Sequence, residues 1–289
     1  MMLRPKTWLA AARAAAGYSA PLVPFASFPA ALTVEGQIRR PAELPHVELI
    51  ALGGVWRPRG GRQVLGMRMT NPVTVQSLSE ITAETLGPFP GGLVRAGMKL
   101  SLLFRFQHIA IGNPTRVYRL RIGAPGSEQD FAAQNVNTGT TQATGLVVQP
   151  FDVLSDVSAA HRGGFNGAMG FGWGFSKNFS PTVDFSQPWD ILIRLMSGAE
   201  TATNITSVSW SGGVAVFINP SHTLNTGDKT TVAGVSNTAY NGVYTGITRI
   251  DDNTWSGTLV TDPGGASTGG TSARISNMES QSWILTLEG

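Results

Sequence analysis

The sequence contains no cysteine. That absence excludes disulfides, thiolate metal sites and a cysteine nucleophile, and it leaves the redox compartment open. Charge is scarce too. Asp, Glu, Lys and Arg make up 13% of the 289 residues, about half the usual share of a soluble domain. So poor a supply of charge leaves the surface to Ser, Thr, Asn, Gln and Gly, or partly to neighbouring subunits. No apolar run approaches the ~18 residues that a membrane span needs, so no membrane insertion is expected. Helix signals are missing as well: after Gly17 no stretch of ten residues reads as a helix.

What is present points to strands. Hydrophobic residues make up 42% and the mean hydropathy is +0.03, enough to bury a core. The 35 glycines and 17 prolines exceed the share of an average globular chain and suit a turn-rich β-protein. The length suits one large domain plus a small one.

Charge is unevenly spread. Residues 1–122 hold 15 Lys and Arg against 5 Asp and Glu (+10), and residues 123–289 hold 6 against 13 (−7), giving the net +3. The basic residues are dispersed, and several alternate with apolar ones, as in Arg116-Val117-Tyr118-Arg119-Leu120-Arg121. That spacing predicts solvated strand faces and a patch for an acidic protein partner, with no nucleic acid bound.

The N-terminus, MMLRPKTWLAAARAAAGYSA, has the basic and small residues of a signal peptide, but Arg13 interrupts its apolar stretch. It reads as a short helix over residues 7–16, ended by Gly17, or as an extended arm. Prolines 21, 24, 29, 41 and 45 then prevent a helix. Phe25 and Phe28 make this arm too apolar for a free linker, so it is expected to lie on a neighbouring subunit.

From Val47 the pattern is β. Residues 47–56 and 63–70 flank RPRGGR as a candidate hairpin. The strongest strand signal, residues 98–112, is followed across Gly112-Asn113-Pro114 by its expected partner, residues 115–123. Residues 189–198 form a strand whose natural successor appears only at 280–289, so the two are expected to pair across an insertion. Within that insertion, Asn241-Gly242 reads as a hairpin turn and Asp251-Asp252-Asn253 as a second turn. The glycine-rich residues 264–276 read as a return linker.

Chemistry is hard to place. The four histidines, His46, His108, His161 and His222, show no metal-ligand spacing. No nucleophile elbow occurs, and Asp251-Asp252-Asn253 lacks the spacing of a calcium loop. Asp184 and Asp190 are the nearest approach to a carboxylate pair, by sequence proximity alone. The aromatic and glycine-rich residues 163–175, with Phe165, Trp173 and Phe175, read as core aromatics beside strand glycines. The alternative is a sugar-stacking platform in a carbohydrate-binding or carbohydrate-degrading sandwich. No catalytic, cofactor or metal residue is assigned, and the chain is read as a non-enzyme.

Two stretches resemble known proteins. Residues 76–123, with GLVRAGMKLSLLFRFQH before RVYRLRIG, resemble the jelly-roll-like β-sandwich domains of tailed-bacteriophage virion proteins. TVDFSQPWDILIRLMSGAETATNIT and the final strand agree with that order. Residues 221–259 resemble a small β-barrel-like module of phage structural proteins. They carry His222, Leu224, Gly227-Asp228, Gly234-Val235, Tyr240-Asn241-Gly242-Val243-Tyr244 and Asp252-Asn253-Thr254-Trp255 in register.

The resemblance implies an all-β chain in three parts: an N-terminal anchoring arm and hairpin (1–72), a jelly-roll-like sandwich (73–206 plus 277–289) and an inserted β-module (207–276). It implies a fibre, tail appendage or capsid decoration on the exterior of a virion, made in the host cytoplasm. The expected partners are other virion proteins through the arm, two further copies in a homotrimer, and a host surface glycan or receptor. The basic half is expected to face the particle and an acidic module to face outward.

Overall fold

The computed structural model describes residues 22–28, 33–52, 55–109, 114–136, 142–152, 166–167 and 182–289. Among them there is no α-helix, only strands and short 3₁₀ turns, so the chain is all-β. The candidate helix 7–16, His161 and the aromatics Phe165, Trp173 and Phe175 lie outside the described residues.

Strands β1 (Leu22–Val23), β2 (Ile38–Pro41), β3 (Leu49–Leu52) and β4 (Val55–Pro58) form a small sheet in that order. The described part of the arm is therefore not loose. Phe25 is buried in the main core, and Phe28 stacks between it and Trp56 with ring centroids 5.0 and 4.9 Å apart. Apolar side chains between prolines found their cover on their own chain.

Next come β5 (Arg62–Arg68), β6 (Val73–Val75), β7 (Ile81–Phe89), β8 (Lys99–Ile109), β9 (Arg116–Gly123), β10 (Gln129–Val136), β11 (Gln142–Asp152), β12 (Asn166–Gly167) and β13 (Trp189–Met196). The insertion supplies β14 (Thr203–Asn204), β15 (Ser207–Ser211), β16 (Val214–Ile218), β17 (Thr230–Ala233), β18 (Gly242–Tyr244), β19 (Thr248–Arg249), β20 (Thr254–Thr258), β21 (Ser267–Thr268) and β22 (Thr271–Arg274). β23 (Asn277–Glu288) follows the insertion.

Two sheets make the sandwich. One runs β12-β11-β8-β23-β5, with β6 also on β23, and the other runs β10-β9-β13-β7. Period-two alternation turns Leu100, Leu102, Phe104 and Phe106 of β8 inward to meet Tyr118, Leu120 and Ile122 of β9. Tyr118 bridges the layers, 4.7 Å from the ring of Phe106 and 6.5 Å from that of Phe104.

Three pairings expected from chain order are replaced. β8 and β9 lie in opposite sheets and do not pair as a hairpin. β13 pairs with β7 and β9 while β23 pairs with β8, β5 and β6, so the two strands flanking the insertion face each other across the core. Strand 63–70 does not pair with 47–56: β4 folds back on β3, and β5 joins β23. That pairing buries Leu65 in the sandwich and moves residues 62–68 out of the arm to which they were assigned.

The insertion has its own core of Ile205, Val208, Ala215, Phe217, Leu224, Val232, Val235, Tyr240, Tyr244, Ile247 and Trp255. Its sheets run β14-β22-β17-β18 and β19-β20-β16-β15-β21. Phe217 and Trp255 stack 4.1 Å apart at 11°, and Tyr244 closes on both rings edge-on. Gly257 makes room for this, since a Cβ there would sit 2.6 Å from the Tyr244 ring. Asp251-Asp252-Asn253 is a turn, from β19 to β20, with Asn253 N–H donating to Asp251 Oδ1. Asn241-Gly242 is not: Asn241 is extended, Gly242 begins β18, and Asn237 instead caps a 3₁₀ turn at Thr238–Tyr240. Nor is 264–276 a linker, because it contributes β21 and β22. The module's own charges, three basic and four acidic between residues 203 and 274, nearly cancel, so it is not the acidic body expected.

Candidate functional site

The densest buried chemistry lies where the two cores join. The outgoing segment 197–200 and the returning segment 274–276 run antiparallel, tied by Ser276 N to Gly198 O (2.9 Å), a bridge between Ala199 and Ile275, and Glu200 N to Arg274 O (2.8 Å). Gly198 is needed for this closeness: a Cβ there would lie 2.3 Å from the Thr115 carbonyl oxygen. Ser197 is buried and ties the ribbon to the sandwich, its Oγ accepting from Ser77 N at 2.8 Å. From the module, Lys229 Nζ donates to Gln76 O at 3.2 Å.

Four charges are drawn into this joint. Arg274 lies 2.9 Å from Asp228 and 3.6 Å from Glu200, and Arg116 of β9 is buried nearby under the charge of Glu200. Burial pushes the Arg116 guanidinium below its ordinary value, and Glu200 pulls it back. His108 of β8 is buried beside them; burial first, then the Arg116 charge, push its imidazole down to about 4. It is therefore neutral at pH 7 and unable to serve as a charged acid. Asn219 plays the corresponding neutral part inside the module. Fully buried, its Oδ1 accepts from Thr203 Oγ1 (3.0 Å) and Ser272 Oγ (2.6 Å), while its Nδ2 donates to Asn204 O (2.6 Å). No motif flagged Asn219, Glu200 or Arg274, since their partners lie far apart in the chain.

The carboxylate pair differs from the one sequence proximity suggested. Asp184 is exposed and accepts from Ser186 N at 2.9 Å; the Ser186 hydroxyl first, then this backbone bond, hold it below the usual carboxylate range. Asp190 is buried near Glu128, itself buried, whose Oε1 accepts from Gly126 N at 2.7 Å. Burial first, then the neighbouring Glu128, push Asp190 up to about 6.

The remaining candidates have structural roles. His46 Nε2 meets Leu65 O at 3.1 Å, and His222 Nδ1 accepts from Leu224 N at 3.3 Å. Asn253 Oδ1 accepts from Ser221 N. Among the described residues no group of three or more His, Asp or Glu stands where it could hold a metal ion, and no helix is long and apolar enough to cross a membrane. The strand-face arginines are partnered within the chain: Arg119 with Glu80 and Asp130, Arg121 with Asp130, and Arg194 with Glu80.

No protein family, characterised protein or solved structure matches the chain. The site consists of two packed β-bodies joined by a hydrogen-bonded ribbon and a buried ion cluster.

Proposed function

We propose that the protein is a structural component of a tailed-phage or phage-like particle. It would attach through its basic N-terminal part and display the sandwich and its module as a fibre, tail appendage or capsid decoration. The observation that carries this reading is the joint itself. Buried charges at Arg116, Glu200, Asp228 and Arg274 clamp the module to the sandwich, a use of charge suited to transmitting load or holding a display surface. The sequence patterns at 76–123 and 221–259 support the phage assignment. The small sheet β1–β4 supports attachment by a docked, ordered platform. In this reading the chain assembles as a homotrimer, and exposed loops or the module face a host glycan or receptor.

The test is physical association. Particles are banded on a density gradient from a lysate of cells that make the protein, then examined by peptide mass spectrometry and gold-labelled antibody microscopy. Co-banding with labelled particle exteriors is expected. A protein recovered only in the soluble fraction, with unlabelled particles, overturns the proposal. Copy number then separates the placements: hundreds per particle mean capsid decoration, and a few trimers mean a fibre or appendage.

A further inference from the structure

One side of the sandwich differs from the rest. β5 closes one sheet, β7 closes the other, and the Arg68–Glu84 ion pair at 2.6 Å joins these two edge strands on the same side. Outside the N-terminal sheet and the module, the exposed large hydrophobic residues among those described are Val64, Met67, Met69, Leu78 and Ile81. All lie on β5, on β7 or beside them. Met67 and Met69 are 63% and 60% exposed.

Open strand edges invite pairing, and proteins ordinarily guard them with outward charges, proline or a covering loop. Among the described residues such guards are few: β7 carries Pro88 near its end, and the register shifts twice along β7 and once along β5. Arg62 pairs with Glu288 of the neighbouring β23, and Arg68 and Glu84 are clamped to each other. The start of β5 is covered, where Gln63 bonds Glu48 N at 2.7 Å and His46 reaches Leu65 O at 3.1 Å. Among the described strands, β5 pairs with β23 alone and β7 with β13 alone.

We propose that this edge is the contact between copies of this chain, with β5 of one copy against β7 of the next around a three-fold axis. This rests on the trimeric reading above. A second copy fits better than a foreign partner because the edge has no net charge: it does not repel itself and offers an oppositely charged surface nothing to recognise. Two different open strands per copy make a head-to-tail contact, which closes into a three-membered ring when successive copies are turned by about 120°. A nine-residue strand is about 30 Å long and the sandwich side about 20 Å deep, giving about 600 Å² per copy; shared between two neighbours this is about 300 Å² in each contact, at the weak end of interfaces, so the trimer is expected to strengthen with concentration.

The test is the mass of the full chain by light scattering after gel filtration, over a range of concentrations. Wild type is expected as a trimer and the double variant Met67→Glu/Met69→Glu as a monomer with unchanged circular dichroism. Val260→Glu, at a module position 82% exposed, is expected to remain trimeric. A trimer that survives the double variant overturns the edge contact and leaves the trimer standing. A monomeric wild type overturns both. A wild-type dimer split by the double variant keeps the edge and overturns the three-fold. Since the chain has no cysteine, Met67→Cys with a bifunctional maleimide gives an independent reading: covalent oligomers are expected, and their absence from a trimeric sample counts against the edge.

Discussion

Arg68 on one sheet grips Glu84 on the other, its Nε and Nη2 lying 2.8 and 2.6 Å from the two carboxylate oxygens. Ser280 Oγ and Trp283 Nε1 donate to the same carboxylate. Burial alone pushes Glu84 up, but these donors and the Arg68 charge outweigh it and hold the group below its ordinary value. Glu84→Gln is expected to cost about 2–4 kcal/mol at pH 7, because it leaves Arg68 without its counter-charge. Urea unfolding measures this. A depressed carboxylate stabilises above its unfolded pKa and loses that contribution as pH falls through the folded one. The variant and wild type should therefore converge in acid.

His108 adds a pH dependence of its own. Its folded value of about 4 lies below the ordinary 6.5, so between these limits the unfolded chain binds a proton that the fold refuses. Stability should rise from pH 4 to 6.5 by on the order of 3 kcal/mol from this group and then level off. An imidazole NMR titration with a midpoint near 6.5 would contradict it.

Asp190 has the opposite sign. Raised to about 6 from 3.8, it binds a proton in the fold that the unfolded chain releases, so stability falls as pH rises between those values. Asp190→Asn is expected to be more stable than wild type at pH 7 by about 2 kcal/mol, with the gain vanishing below pH ~4. Thermal melts of both proteins across that range decide the matter.

Gly198→Ala places a methyl 2.3 Å from the Thr115 carbonyl oxygen. The ribbon must shift, at an expected cost of about 2–4 kcal/mol. The loss should appear as earlier protease cleavage near residues 197–200 and 274–276, with each core otherwise intact.

Thr203 pairs with Ser272 in register, so the module leaves and returns at neighbouring points. Residues 203–274 expressed alone are expected to fold, giving a cooperative melt and dispersed NMR amide signals. A broad, non-cooperative melt would show that the second core depends on the sandwich.

Much of this architecture was legible in local pattern. Strand character at 99–109, 116–123, 189–196 and 277–288 follows from apolar alternation, and the Asp251–Asn253 turn from side-chain bonds made within three residues. Partner choice was not legible. Nothing in 116–123 says that it covers 99–109 across the core instead of lying beside it, because both arrangements satisfy the same alternation. Asp190 and Glu128 meet only because β13 lies beside β9, with Asp190 opposite Gly123. The Asn241-Gly242 dipeptide misled for a related reason: Asn241 Oδ1 accepts from Val235 N, which stabilises an extended backbone where a free peptide would turn.

A strand placed late in the chain is also a central one. β23 separates β8 from β5 and pairs with both, yet it follows the module. During synthesis β8 waits for it through some 170 residues and β5 through more, while the module can close on itself. At about 5–20 residues per second that wait lasts roughly ten seconds or more. Until then the sheet has a gap at its middle. The second body is thus placed in time as well as in space: it is made before the strand that closes the first, and a chain cut before Asn277 keeps a module that can close and a sandwich that cannot.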